Sequence, residues 1–161
     1  MLSRVLVPLD GSPVMTQILP TLRQMLGGTG AIVHLLVVRP PIRQPHYLAD
    51  RVIYLDELLR QEQAAWQDYL TRQAGQLAYD GIVVKRTVRF GDPLTEILAL
   101  AHRQSMHLIA ITARQQPWPQ RLFRPCLAHQ LLVQSPVPVL VVPATRLPSL
   151  DLVARYSGVP V

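Results

Sequence analysis

Residues 106–143 read MHLIAITARQQPWPQRLFRPCLAHQLLVQSPVPVLVVP. The short apolar run Leu108-Ile109-Ala110-Ile111 leads into a polar, proline-broken loop, Thr112 to Pro125, and then into a helical segment from Cys126 to Gln134. The stretch closes on Val137-Pro138-Val139-Leu140-Val141-Val142. Two β-branched runs joined by a helix make a βαβ unit, whose strands are parallel and whose crossover is right-handed. Open sheets of this kind bind ligands beyond the carboxyl ends of their strands, where a loop feeds a helix N-terminus. The loop after Ile111 is therefore the first candidate for function.

The same alternation runs back to the N-terminus. Residues 4–10 predict a buried parallel strand that ends at Asp10-Gly11. Ser12 followed by Pro13 is a helix-start pair, a capping hydroxyl with proline at the first helical position. Val14, Ile18, Leu22 and Met25 then recur at helical spacing; Pro20 is expected to kink this helix and Gly27-Gly28 to end it. Ala31 to Val38 predict a second strand, stopped by Arg39-Pro40-Pro41. A proline-rich loop over 40–50 precedes a helix expected from about Asp50 to Tyr79, with Val52, Leu55, Leu59, Trp66, Leu70, Ala74 and Leu77 on one stripe. Trp66 and Tyr69 are read as part of that core-facing stripe rather than as a base-stacking platform.

Ile82 to Arg89 predict a third strand with Lys85, Arg86 and Arg89 along an exposed rim. Asp92 and Pro93 make the N-cap and first residue of the next helix, which turns Leu94, Ile97, Leu98 and Ala101 toward the sheet. His102, Arg103 and His107 are read as solvated at its far end. The whole is β-α-β-α-β-α-β-α-β: an α/β fold with an open five-stranded parallel sheet and helices on both faces.

Composition narrows the function classes. A chain of 161 residues, 49% hydrophobic and 16% charged, has the makings of one well-packed domain and not of a disordered segment. It has no apolar stretch of the roughly 18 residues that a spanning helix needs. The N-terminus lacks a signal-peptide cleavage pattern, so a cytosolic protein is expected. One cysteine excludes an internal disulfide framework, and the five histidines show no ligand spacing, so no metal is expected. The net charge of +6 is almost all arginine, scattered without aromatic interleaving, and nucleic acid is not an expected partner. No nucleophile elbow, intact P-loop or metal-binding helix is visible, and Asp56-Glu57 sit on a solvated helix face, so no enzyme activity is expected.

HLIAIT, a thirteen-residue interval and CLAHQLLVQSPVPVLVVP together resemble the last third of the universal stress proteins. Val5-Leu6-Val7-Pro8-Leu9-Asp10-Gly11-Ser12 is similar to that family's opening strand and turn, AIVHLLVVRP to its second strand, and FGDPLTEILALA to its third strand-to-helix turn. The resemblance runs over roughly residues 2 to 144. It implies a Rossmann-like sheet of strand order 3-2-1-4-5, with Asp10 and the Thr112 loop facing one cleft at the switch point. Residues 1–144 would form the domain and 145–161 a C-terminal extension that docks on its own subunit or a partner.

Nucleotide-binding members of that family carry G-x2-G-x9-G-[ST] after the fourth strand. Here those positions fall on Thr112, Gln115, Pro125 and Cys126, with the spacing intact and all four residues changed. Glycines let successive N–H groups crowd a phosphate; Thr and Gln resist that backbone and Pro125 has no N–H. The resemblance therefore implies a regulatory module without ATP turnover or cofactor. An alternative reading keeps a nucleotide such as ATP, or another anionic small molecule. Asp10 and the Val38 backbone would hold its adenosine end, and Thr112, Arg114, Gln115 and Cys126, with Arg121 and Arg124, would lie around the phosphates. Asp10 equally suits a plain turn role, accepting from the backbone at Gly11 and Ser12. Cys126, near a helix N-terminus, is read as a small packed residue rather than a redox thiol. The last strand, Val137 to Val142, lies at a sheet edge and is expected to pair with its counterpart in a homodimer; a further protein partner is left open.

Overall fold

The run Arg4–Leu9 has its last five residues buried and forms strand β1, since only a strand covered on both faces accepts apolar residues at consecutive positions. The computed structural model describes residues 3–41, 47–48, 51–52, 55–78, 81–113 and 126–145. After β1 come helix α1 (Ile18–Leu26), β2 (Ile32–Arg39), the two-residue strands β3 (Tyr47–Leu48) and β4 (Arg51–Val52), and α2 (Leu55–Gly75). Then follow β5 (Val83–Phe90), α3 (Pro93–Arg103), β6 (Leu108–Ala113), α4 (Leu127–Gln134) and β7 (Val139–Pro143). The main sheet has the order β5-β2-β1-β6-β7 and every pair in it is parallel. Counting its five strands in chain order, this is 3-2-1-4-5.

Handedness assigns the helices. Right-handed crossovers from β1 to β2 to β5 step one way across the sheet and put α1 and α2 on one face; those from β5 to β6 to β7 step the other way and put α3 and α4 opposite. The hydrogen bond from Arg86 Nη1 on β5 to Thr71 Oγ1 on α2, 2.7 Å, marks the α2 face. The core lies on either side of β1 and β6, where Leu6, Ile109 and Ile111 are at most 1% exposed. At about 1.5–3 kcal/mol for each large side chain so buried, the central strands and not the edges hold the domain together.

Several expectations are corrected. The first α-helix starts at Ile18 and not at Ser12: a 3-10 turn, Met15–Gln17, precedes it, and the Ser12 hydroxyl accepts from Met15 N at 3.4 Å to open that turn. Pro20 falls in the first turn of α1, where a backbone N–H has no intrahelical partner, so it starts the helix instead of kinking it. Met25 is 47% exposed, and Ile18, Leu19, Leu22 and Leu26 form the buried stripe. Val52 belongs to the β3–β4 antiparallel pair, so the second helix begins at Leu55. Thr112 is the fifth residue of β6 and not a loop residue. The last strand begins at Val139, two residues later than expected. His107 is half-buried: its Nδ1 is 3.2 Å from Ser3 Oγ and its Nε2 3.4 Å from Arg4 Nη2.

The third helix is as expected. Asp92 Oδ2 accepts from Thr95 N (2.9 Å) and Thr95 Oγ1 (2.8 Å), with Pro93 at the first helical position. Both bonds favour the charged carboxylate, which holds Asp92 below its ordinary carboxylate pKa.

Candidate functional site

β1 and β6 are neighbours whose outgoing chains cross the sheet in opposite directions, which leaves a crevice at their carboxyl ends. A cleft of about 280 Å³ occupies it. That lies at the small end of ligand sites, which start at about 300 Å³. Its floor is the end of β1 (Pro8, Leu9, Asp10), and its sides are Val38 of β2 and Ile111, Thr112 and Ala113 of β6. The first turns of α3 and α4 supply Pro93, Ile97, Leu127 and Ala128, Cys126 lies just ahead of α4, and Met15 comes from the turn before α1.

Asp10 ends β1 with its carboxylate folded back into the turn. Its Oδ1 accepts from Ser12 N at 2.9 Å and Ser12 Oγ at 2.6 Å, so the turn role is realised in a residue that also lines the cleft. Gly11 follows at φ 85°, a backbone that side-chain-bearing residues avoid. A Cβ there would also stand 2.7 Å from Trp66 Cη2. Behind the turn, the ring of Trp66 meets Tyr69 edge to face at 5.5 Å, and the Arg39 guanidinium lies 4.7 Å over it. Glu62 accepts from Arg39 Nε at 3.2 Å and holds that cation in place. Burial pushes the Tyr69 phenol up, and the Asp10 carboxylate nearby adds to the shift; the backbone N–H of Gly11 and the charge of Arg72 oppose it. The aromatic pair therefore braces the β1 turn from the α2 side, consistent with a core role.

The other expected site residues divide. Asp10, Val38, Thr112 and Cys126 come together around the one cleft. Thr112 is 2% exposed and its hydroxyl donates to Met15 O at 3.3 Å, tying β6 to the turn before α1. Cys126 occupies the N-cap position of α4, half-buried, with no side-chain cap bond. Arg114, Gln115, Trp118, Arg121, Arg124 and Pro125 lie outside the described residues, as do residues 146–161. Among the described residues no cluster of His, Cys, Asp and Glu is arranged to hold a metal, and no helix is long and apolar enough to cross a membrane.

What sequence reasoning missed is the apolar lining. Met15, Pro93, Ile97 and Leu127 line the cleft, and nothing in their local sequence pattern sets them apart from ordinary helix residues. The available signal was topological: at a switch point the first turns of α3 and α4 face the cleft, so their apolar residues become its wall.

Fold and cleft define a Rossmann-like α/β domain. The family model for the universal stress protein family matches residues 1–143, and the chain belongs to that family. Comparison with curated protein sequences gives no match. Among solved structures the chain is similar to hypothetical protein MJ0577, at 20% identity and TM-score 0.71, over 91% of this chain and 99% of that one. It is similar also to the universal stress protein UspA from Lactobacillus plantarum, at 22% identity and TM-score 0.67, over 88% and 97%. A universal stress protein solved in complex with cAMP matches at 15% identity and TM-score 0.61, over 88% and 96%. At these identities the structures speak for the fold alone.

Proposed function

We propose that this chain is a cytosolic, homodimeric, non-enzymatic regulatory module of the stress response, and that its cleft keeps the place of a nucleotide site without the phosphate grip. The observation that carries this reading is Thr112. At the first of the four glycine-motif positions it is a strand residue whose buried hydroxyl is spent on Met15 O, and the cleft around it is predominantly apolar. Such a wall offers a phosphate little. The test is mass spectrometry of small molecules released from the denatured protein, followed by calorimetric titration with ATP, ADP and AMP. An empty protein that gives no heat with any of them is expected; a stoichiometric nucleotide would overturn the reading.

A second reading has its own support, since Asp10, Val38, Thr112 and Cys126 line one cleft and a structural neighbour was solved with cAMP. In it a nucleotide or other anionic metabolite is held by Asp10, the Val38 backbone, Thr112, Gln115, Cys126 and the loop arginines. Arg114→Ala then weakens binding of the titrated nucleotide by about tenfold, the order of one lost charge-assisted contact.

Dimerisation through the last strand is supported by its edge position and by half-exposed Val139 to Val142. Leu132 and Val133, 57% and 70% exposed on α4 just before that strand, add apolar surface next to it.

A further inference from the structure

The sheet has a second free edge, at β5, which differs from β7 in length and in charge. Val83 N donates to Ala31 O and Gly91 N to Arg39 O, both at 2.9 Å, so the odd-numbered residues of β5 direct their backbone groups at β2. By alternation Val84, Arg86, Val88 and Phe90 present N–H and C=O outward along the edge. The strand runs eight residues, longer than the about 5–6 of an ordinary strand. It contains no proline and keeps an unbroken register with β2 from Val83 to Phe90, so every outward donor is present. Among the described residues no hydrogen bond closes this edge.

The side chains of β5 carry three cations along that edge. Arg86 turns to the α2 face, where it meets Thr71, while Lys85 and Arg89 share the other face with Thr87, whose Oγ1 lies 2.7 Å from His34 Nε2. Lys85 and Arg86 are exposed and Arg89 is half-buried. Among the described residues no carboxylate forms an ion pair with any of the three. A second copy of this chain is a poor occupant. The two antiparallel registers that would pair β5 with itself along nearly its full length are centred on Arg86, which sets that residue opposite itself, and on Thr87, which sets Lys85 opposite Arg89. Like charges directly opposite one another destabilise a strand pair. We propose that this edge takes an extended acidic segment of a partner protein as a sixth strand, with backbone bonds to Val84, Arg86 and Val88 and alternate carboxylates beside Lys85 and Arg89. The backbone bonds supply affinity, and the cations select the partner. The inference uses neither the cleft nor the β7 pairing, so it stands or falls apart from both.

The test is fluorescence anisotropy of a labelled seven-residue peptide of alternating valine and glutamate, titrated with the full-length protein. Saturable binding is expected, and none for the same peptide with lysine in place of glutamate. Lys85→Glu combined with Arg89→Glu should weaken binding at least about tenfold, the order of lost charge-assisted contacts. Val84→Pro removes an outward donor while the bonds to β2 stay, and should weaken binding too. Strand addition also makes a demand on the peptide itself, because the amides of alternate peptide residues meet β5 and those between them point away. Of two probes N-methylated at every valine or at every glutamate, one should bind as the unmethylated probe does and the other not at all. Absence of binding by the unmethylated probe would overturn the proposal. Loss with both methylated probes, or with neither, would overturn it as well, since a purely electrostatic contact does not read backbone alternation. A single-stranded oligonucleotide that binds through the same cations, with the acidic peptide left unbound, would assign the edge to nucleic acid instead. Should Val84→Pro fail to fold by circular dichroism, the methylated probes decide alone on the parent protein.

Discussion

Gly11 shows how much rests on the absence of one Cβ. Its positive φ alone costs a side-chain-bearing residue about 1–2 kcal/mol, and crowding against the Trp66 ring adds about 1–3 kcal/mol of overpacking. Gly11→Ala should therefore destabilise the domain by roughly 2–5 kcal/mol in urea denaturation. In a Trp66→Leu background the same change should cost only about 1–2 kcal/mol, because the conformational part remains and the clash does not. An undiminished cost there would show that Trp66 is not what confines the turn. His34, 6% exposed on β2, supplies a second residue-level prediction. Its Nε2 lies 2.7 Å from Thr87 Oγ1, while Nδ1 is buried with no partner among the described residues. Burial, and then the charges of Lys85 and Arg89, lower its pKa below the ordinary 6.5, so the fold holds it neutral. As pH falls through about 6.5 the unfolded chain takes up the proton first, and stability drops from there down to the lower folded pKa. The melting temperature should fall between pH 7.5 and 5, and by less in His34→Gln; matching slopes in the two proteins would contradict this.

Strand β7 carries the prediction at the scale of an element. Ile109 N bonds Pro138 O and Ala144 N bonds Ala113 O, so by alternation residues 138, 140, 142 and 144 direct their backbone groups at β6. The missing N–H of Pro138 therefore faces inward and costs the free edge nothing. Val139 and Val141 present N–H and C=O outward, and Pro143 presents only a carbonyl. Val141→Pro removes an outward donor while every bond to β6 stays, and proline is tolerated at an edge in that position. Light scattering should give a dimer for the parent and half its mass for Val141→Pro, with little change in melting temperature; a dimeric variant would place the interface elsewhere. The same scale shows where periodicity misleads. Pro20 starts a helix instead of kinking one, since its effect depends on where the first turn begins. Val52 fits a helical stripe by spacing, yet it pairs with Tyr47 in the short antiparallel β3–β4 ladder ahead of α2.

For the whole molecule, the alternation of strands and helices was legible because parallel strands buried on both faces read as unbroken apolar runs, and β1, β2 and β6 are such runs. The Asp92-Pro93 helix start was equally legible, because a cap is a local interaction among neighbouring residues. The strand order came from resemblance, and the sheet bears it out. That Asp10, Val38, Thr112 and Cys126 would share a cleft could be expected from the switch point; that most of its wall would be apolar could not. Local chemistry and hydrophobic period, which the amino-acid order contains outright, thus determined the five main strands, the Asp92 cap and the fold class. The tertiary structure alone decided that Trp66 sits behind Gly11, that the Thr112 hydroxyl is taken up by Met15, and that Gln17 holds the chain at Thr145. These contacts join residues far apart in the sequence, and a side chain's partner across such distances depends on how the sheet twists and the helices cross, which no local pattern records.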